Sequence, residues 1–314
     1  MLTFGPVPSR RLGRSLGVNH VPPTTCSYAC VYCQVGPTRP MRIARTTFFR
    51  PRQVVSAVAA RIASCRGAGE PVDFVTFVPD GEPTLDAGLG EEIRGVRELG
   101  IPVAVITNGS LLSRPDVRDA LAAADFVSVK VDAADETTWR EVNRPHGRLR
   151  FGAVTEGVRV FAAEFGGELV TETMLVAGRN DGDDDLEAVA DLVGELDPAR
   201  ACLAAPIRPP AEVDVRPPAE ETFLRAFEAF QSRVREVQLL AGEPEGTFGG
   251  AGPPVEELRS ILAVHPMRER AVRDFLSDRD VGSGTLEALE RAGLVVRVAH
   301  RGETYVCHPV HAER

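Results

Sequence analysis

Cys26, Cys30 and Cys33 read Cys-x3-Cys-x2-Cys inside one short loop. Three thiolates at this spacing can hold three irons of a cubane 4Fe–4S cluster and leave the fourth iron without a protein ligand. An open coordination position separates a reactive metal site from a closed structural one. The alternative is a single zinc ion with His20 as a fourth ligand, although no second Cys or His pair accompanies the three cysteines. Cys65, Cys202 and Cys307 are scattered along the chain. They are expected to be small buried residues rather than ligands of a second cluster.

Polar residues suited to a charged cofactor recur just after apolar segments. Gly81-Glu82-Pro83 follows Val72–Val78, Asn108-Gly109 follows Pro102–Thr107, and Ser128-Val-Lys130-Val-Asp132 closes the segment from Asp125. Each has a plain structural reading. Gly-Glu-Pro and Asn-Gly are turn formers, and Asp132 suits a helix cap. Lys130 is the only lysine of the chain. Desolvated at a strand end it would lose affinity for its proton and act as a nucleophile; kept charged, it would bind an anion.

The elements that must position these groups alternate. Ser15–Val21, Val72–Val78, Pro102–Thr107, Asp125–Asp132, Glu168–Val176 and Ala201–Pro206 read as strands, mostly apolar as expected when both faces are covered. Helical spacing marks Val54–Ile62, Leu89–Leu99, Phe151–Phe165, Leu186–Leu196 and Phe223–Val234. Ser113 is a candidate cap for a helix with Pro115 in its first turn. About six strand–helix units predict an α/β fold with a parallel sheet, open or partial rather than an eight-strand closed barrel. This barrel would occupy residues 1–240. Residues 241–254 read as a Gly/Pro-rich linker. Residues 255–314, with helices at Val255–Val264, Met267–Leu276 and Thr285–Ala292 before two short strands, read as a small winged-helix-like α+β module. That module is a lid, or a surface for a partner or nucleic acid.

The net charge is −9, yet no acid precedes Glu70, and ten arginines lie between Arg10 and Arg66. The stretch is an anion-binding mouth, or it reflects a chain that uses Arg as its default cation. Overall acidity argues against a broad nucleic-acid surface. No run of some 18 apolar residues is present, so no membrane span is expected. The N-terminus lacks an apolar signal core, and six cysteines in so long a chain, three of them in one loop, form no disulfide framework; a cytoplasmic protein is expected.

Cys-x3-Cys-x-aromatic-Cys, with Tyr32 at the aromatic position, resembles the signature of the radical S-adenosylmethionine (radical SAM) superfamily. Gly81-Glu82-Pro83 is similar to its Gly-Glu-Pro motif. The resemblance covers about residues 1 to 240 and implies a partial (β/α)6 TIM-like barrel. It also implies a 4Fe–4S cluster on Cys26, Cys30 and Cys33, with S-adenosylmethionine chelating the free iron. Reductive cleavage would give a 5′-deoxyadenosyl radical that abstracts hydrogen from substrate, with the electron supplied by an external donor of flavodoxin or ferredoxin type. Carried over by position, Gly81, Glu82 and Pro83 would hold the methionine ammonium. Asn108, Ser128 and Asp132 would hold the ribose and carboxylate, and Tyr32 would lie near the adenine.

Phe4–Asn19, Asn143-Arg144-Pro145 and Arg208-Pro209-Pro210 are further similar to the wyosine-synthase-like branch, which modifies a guanine in transfer RNA. No cysteine precedes Cys26, however, so that branch's second cluster has no ligands, and its Schiff-base lysine has one counterpart, Lys130. Arg10, Arg11, Arg144 and Arg208 are the candidate substrate contacts. A small anionic metabolite or a partner protein is the expected substrate, and transfer RNA is the alternative. The competing class is a non-enzymatic iron–sulfur sensor with a DNA-binding winged helix. It calls for a basic recognition helix, which Glu287, Glu290 and Arg291 do not supply.

Overall fold

The computed structural model describes residues 2–240, 248–249 and 252–310. Most of the expected 241–254 linker therefore lies outside the described residues. The first sheet contains β1 (Thr3–Ser9), β2 (Gly13–Val18), β3 (Phe74–Phe77), β4 (Val103–Thr107), β5 (Phe126–Lys130), β6 (Glu168–Met174), β7 (Arg200–Ala204) and β8 (Val237–Leu240). Its order follows the chain, β1 to β8, and the sheet is open. The β1–β2 pair is antiparallel and every later pair is parallel. The fold is thus a partial TIM-like barrel. The six expected strands are present, with β1 and β8 added at the two edges.

The helices that follow the strands are α1 (Pro51–Gly67), α2 (Leu89–Arg97), α3 (Pro115–Leu121), α4 (Glu136–Val142), α5 (Phe151–Glu164), α6 (Asp183–Glu195) and α7 (Glu220–Gln231). Their apolar residues recur at helical spacing and face the sheet: Leu89, Ile93 and Val96 on α2, and Val154, Val158 and Phe161 on α5. Burying each such side chain contributes roughly 1.5–3 kcal/mol. Ser113 is not the cap of α3. Arg114 occupies that position with no side-chain bond, and Pro115 itself preorganises the first turn. Helix α4 is the helix that Asp132 was read as suited to cap, but Asp135 starts it, accepting from Thr137 N at 2.8 Å and Thr138 N at 3.0 Å. Asp132 is left for another task.

Strand alternation sorts the barrel interior from its helix-covered face. On β5, Val127 and Val129 join the core beneath the helices. Phe126 packs inside with Leu12, Ala104, Val170, Cys202 and Leu240, closing the barrel floor. The next inward residues up the strands are polar, among them Thr76, Ser128, Lys130 and Glu172.

Beyond the barrel come α8 (Pro254–Val264), β9 (Met267–Arg268), α9 (Glu269–Ser277), α10 (Thr285–Arg291), β10 (Val296–His300) and β11 (Glu303–Cys307). The expected helix from Met267 therefore opens as a two-residue strand, which pairs with β11 to complete a three-stranded antiparallel sheet. These elements share a core of their own, built on Leu258, Ile261, Phe275, Leu286 and Val306. The C-terminal elements pack on the barrel through Glu257, whose carboxylate accepts from Gly5 N at 3.0 Å and pairs with Arg61. Two further ties are Gln34 Nε2 to the Val264 carbonyl at 3.0 Å and Tyr305 OH to the Ile207 carbonyl at 3.2 Å.

Candidate active site

The cysteine loop runs from the end of β2 toward α1 and leaves all three cysteines half-buried. It is fastened from below by the Gly81–Pro83 loop. Thr24 N donates to the Asp80 carbonyl at 2.6 Å, and Glu82 N donates to the Thr25 carbonyl at 3.0 Å. A Cβ on Gly81 would meet that Thr25 oxygen at 2.3 Å, so only glycine allows this approach.

Two amides address the sulfurs. Asn108 Nδ2 lies 3.4 Å from Cys26 Sγ, and Asn143 Nδ2 lies 3.5 Å from Cys30 Sγ. Hydrogen bonds to sulfur are one of the means by which a protein sets an iron–sulfur potential. Burial raises all three thiols above their ordinary range, Cys30 to about 12 with Asp132 and Cys33 adding to the effect. Metal binding must therefore displace protons here, as at any thiolate site.

Among the described residues, the only group of three metal-ligating side chains with donor atoms within 4.8 Å of one another is His20, Asp86 and Glu92. The three cysteines do not form such a group. His20 is no partner to them: its Nε2 lies 3.3 Å from the Pro83 carbonyl and 3.9 Å from Glu92 Oε2. Three half-buried thiols on one loop, two of them addressed by amide donors, fit a 4Fe–4S cluster.

The strand-end residues converge on the same mouth, held mainly by one another. Glu82 is buried, and its Oε1 accepts from Thr84 N at 3.0 Å, Thr84 Oγ1 at 2.6 Å and Thr107 Oγ1 at 2.6 Å. Its Oε2 accepts from Asn108 N at 2.8 Å. Burial raises the carboxyl's pKa, and these donors work against that rise. Asn108 Nδ2 also donates to Ser27 Oγ at 2.9 Å. Asp132 accepts from Tyr32 OH, from Asn143 Nδ2 at 2.7 Å and from Met174 N at 2.7 Å. It thus ties the cysteine loop to β6.

Below the mouth, Glu172 joins two cations. Lys130 Nζ donates to its Oε1 at 2.6 Å, and Arg11 pairs with its Oε2. Arg11 also donates to Ser128 Oγ at 3.2 Å. Burial alone would raise the Glu172 pKa, but Arg11 and Lys130 bring it down to about 2. For Lys130, burial lowers and Glu172 and Asp132 raise, with a net rise. The lysine is a cation, with Nζ 4.9 Å from the centre of the Tyr32 ring, rather than the free amine a nucleophile needs.

Three of the four candidate arginines meet. Arg10, Arg11 and Arg208 line a cleft of roughly 180 Å³ with Gln34, Thr76 and His265, and no carboxylate among the described residues lines it. Arg208 donates to Gln34 Oε1 at 3.0 Å. Burial and Arg208 hold the His265 pKa well below its ordinary value, so the ring is neutral. Arg144 does not join them. It pairs with Glu212, and its backbone has φ 45°.

Asn143 and Glu172 were missed as site residues. Their signals were the asparagine of Asn143-Arg-Pro and a lone acid within an otherwise uncharged stretch, Leu169–Val176.

An open parallel half-barrel with a three-cysteine loop at the C-terminal ends of its strands defines a class, and comparison agrees. The chain belongs to the radical SAM superfamily, whose family model matches residues 21–193. It is similar to the UPF0026 protein MJ1312 of Methanocaldococcus jannaschii, 39% identical over 306 residues, which span 97% of this chain and 95% of that protein. It is also similar to the UPF0026 protein slr1464 of Synechocystis sp., 33% identical, across 66% of this chain and 76% of that protein.

Among solved structures it resembles a radical SAM methyltransferase from Sphaerobacter thermophilus, with TM-score 0.55, 19% identity, and 73% and 67% of the two chains covered. It also resembles TYW1 with a lysine-pyruvate adduct bound, with TM-score 0.54, 18% identity, and 70% and 74% covered. These two likenesses concern the fold. The protein is a radical SAM enzyme, with a 4Fe–4S cluster and S-adenosylmethionine as cofactors. Enzymes of this class generally take their electron from an external donor. No helix among the described residues is long and apolar enough to cross a membrane.

Proposed function

We propose that the enzyme acts on a small anionic molecule bound in the arginine-lined cleft beneath the cysteine loop. The observation that carries this reading is the meeting of Arg10, Arg11 and Arg208 around one cleft, lined by no acid among the described residues. Guanidinium groups suit carboxylate or phosphate, which they engage in bidentate fashion. Cys26, Cys30 and Cys33 would hold the cluster, and the Gly81–Pro83 loop, Asn108 and Asp132 would frame S-adenosylmethionine. When bound, these cofactors supply the electron and the 5′-deoxyadenosyl radical that abstracts hydrogen. The chain's own part is to hold, orient and exclude water. Tyr32, Asp132 and Asn143 lock the loop, Lys130 and Arg11 with Glu172 set a fixed charge pattern below it, and α8 with His265 covers the cleft.

Transfer RNA is the weaker reading. Several arginines of the acid-free segment are already spent inside the fold: Arg45 pairs with Asp116 at 2.6 Å, and Arg61 with the buried Glu257. The DNA-binding sensor is weaker still. We read residues 255–314 as a winged-helix-like lid. The acids of α10 are ion-paired within it, Glu290 with Arg297, and Glu287 accepting from Arg273 at 2.7 Å and Arg297 at 3.2 Å.

Pyrophosphate and citrate serve as probes in an anaerobic binding titration. The reading predicts saturable binding that Arg208→Met weakens at least tenfold, and no transfer-RNA gel shift at physiological salt. A transfer-RNA shift that fades steeply with added salt, with no binding of either probe, contradicts it.

A further inference from the structure

The barrel holds a second cluster of metal-ligating groups, outside the cysteine loop and used by nothing described so far. His20 follows β2, Asp86 follows the short 3-10 turn Pro83–Leu85, and Glu92 lies on the first turn of α2. All three are fully buried, and one donor atom from each falls within 4.8 Å of the others.

Glu92 is the telling residue. Neither of its carboxylate oxygens has a hydrogen-bond partner, and the charges acting on it, Asp86 and Glu91, have its own sign. Its Oε2 points to His20 Nε2 across 3.9 Å, too far for a hydrogen bond. Two donors bound to one ion at about 2.0–2.2 Å stand roughly 3–4 Å apart, which matches this gap. The Pro83 carbonyl, 3.3 Å from the same His20 nitrogen, offers a further oxygen. Asp86 is held in place from outside, its Oδ1 accepting from Gly88 N at 2.6 Å and its Oδ2 from Phe48 N at 3.3 Å. The Phe77 ring meets the imidazole edge-on at 5.0 Å and fixes its plane.

We infer that His20, Asp86 and Glu92 form a binding site for one divalent first-row metal ion, distinct from the iron–sulfur cluster. One imidazole nitrogen with carboxylate and carbonyl oxygens suits Mn²⁺, Fe²⁺ or Zn²⁺. A dication balances the two carboxylates, giving the buried Glu92 the positive partner it lacks. Burial and the like charges of Asp86 and Glu91 raise the Glu92 pKa to about 9, and burial lowers that of His20 to about 4. The ion is structural. It ties the end of β2, the Gly81–Pro83 turn and α2 together under the loop that carries Cys26.

The test uses the full chain with its cluster loaded, and Mn²⁺ and Zn²⁺ as probes. The expected result is one equivalent of Mn²⁺ or Zn²⁺ bound per chain besides cluster iron, with at least tenfold weaker binding by Glu92→Gln. In the unmutated chain, dipicolinate removes the ion and lowers the melting temperature, and Mn²⁺ or Zn²⁺ restores it. Cluster absorbance is followed throughout and stays constant. The inference is overturned if neither ion binds the unmutated chain more tightly than Glu92→Gln. It is equally overturned if dipicolinate leaves the melting temperature unchanged in protein that elemental analysis shows free of non-cluster metal. Glu92 would then be a protonated buried acid, and Glu92→Gln would melt at or above the temperature of the unmutated chain.

Discussion

Glu172→Gln keeps the side chain's shape and removes only its charge, leaving Arg11 and Lys130 facing each other without their shared counter-ion. The fall of the Glu172 pKa from 4.5 to about 2 corresponds to roughly 3 kcal/mol of stabilisation at neutral pH. Removing one partner of a buried ion pair costs about 3–5 kcal/mol, the same range. For a chain of this size the expected drop in melting temperature is about 5–8 °C. The sign with pH follows from the depressed pKa. The carboxylate's contribution is full above about 4.5 and is lost as pH falls toward 2, so the gap between the two proteins narrows with acid.

Thermal unfolding under anaerobic conditions at pH 7 and pH 3.5 measures that gap. A second readout uses the chain's single lysine. Lys130 resists acetylation at pH 8 while Glu172 holds it charged, and becomes modified in Glu172→Gln, which peptide mass spectrometry detects. A stability loss below about 1 kcal/mol together with unchanged acetylation would refute the reasoning.

Two further outcomes follow from the same contacts. Asp132→Ala frees Tyr32, Asn143 and the Met174 amide from their common acceptor; cluster iron is retained while 5′-deoxyadenosine formation falls roughly 10–100-fold, as for other residues that position metal ligands. Gly157→Ala on α5 places a Cβ 2.2 Å from Ser113 N and 2.5 Å from the Leu112 carbonyl carbon. Rigid backbone must then move, so urea denaturation is expected to show a loss of about 1–3 kcal/mol.

The alternating strands and helices were legible because each strand is covered on both faces and each helix carries one apolar stripe. The edge strands β1 and β8 were not. The first contains Gly5 and two prolines and bulges between Phe4 and Val7, and the second is four residues long with three of them not fully buried. The cysteines were legible because metal ligation dictates their local spacing. Asn143, Glu172 and the His20–Asp86–Glu92 group were not, because their partners lie far away in sequence. Asn143 reaches Cys30 across 113 positions, and Glu172 reaches Arg11 across 161. Such pairings exist only once the sheet is assembled. Arg144 shows the converse: its motif grouped it with the other candidate arginines, and in the structure it pairs with Glu212.

The central claim is that Cys26, Cys30 and Cys33 hold a cluster that cleaves S-adenosylmethionine. Anaerobic reconstitution with iron and sulfide, followed by dithionite and S-adenosylmethionine, tests it directly. The account predicts about four irons per chain and formation of 5′-deoxyadenosine, both lost in Cys33→Ala. A chain that takes up no cluster, or that carries the full cluster and releases no 5′-deoxyadenosine, contradicts it.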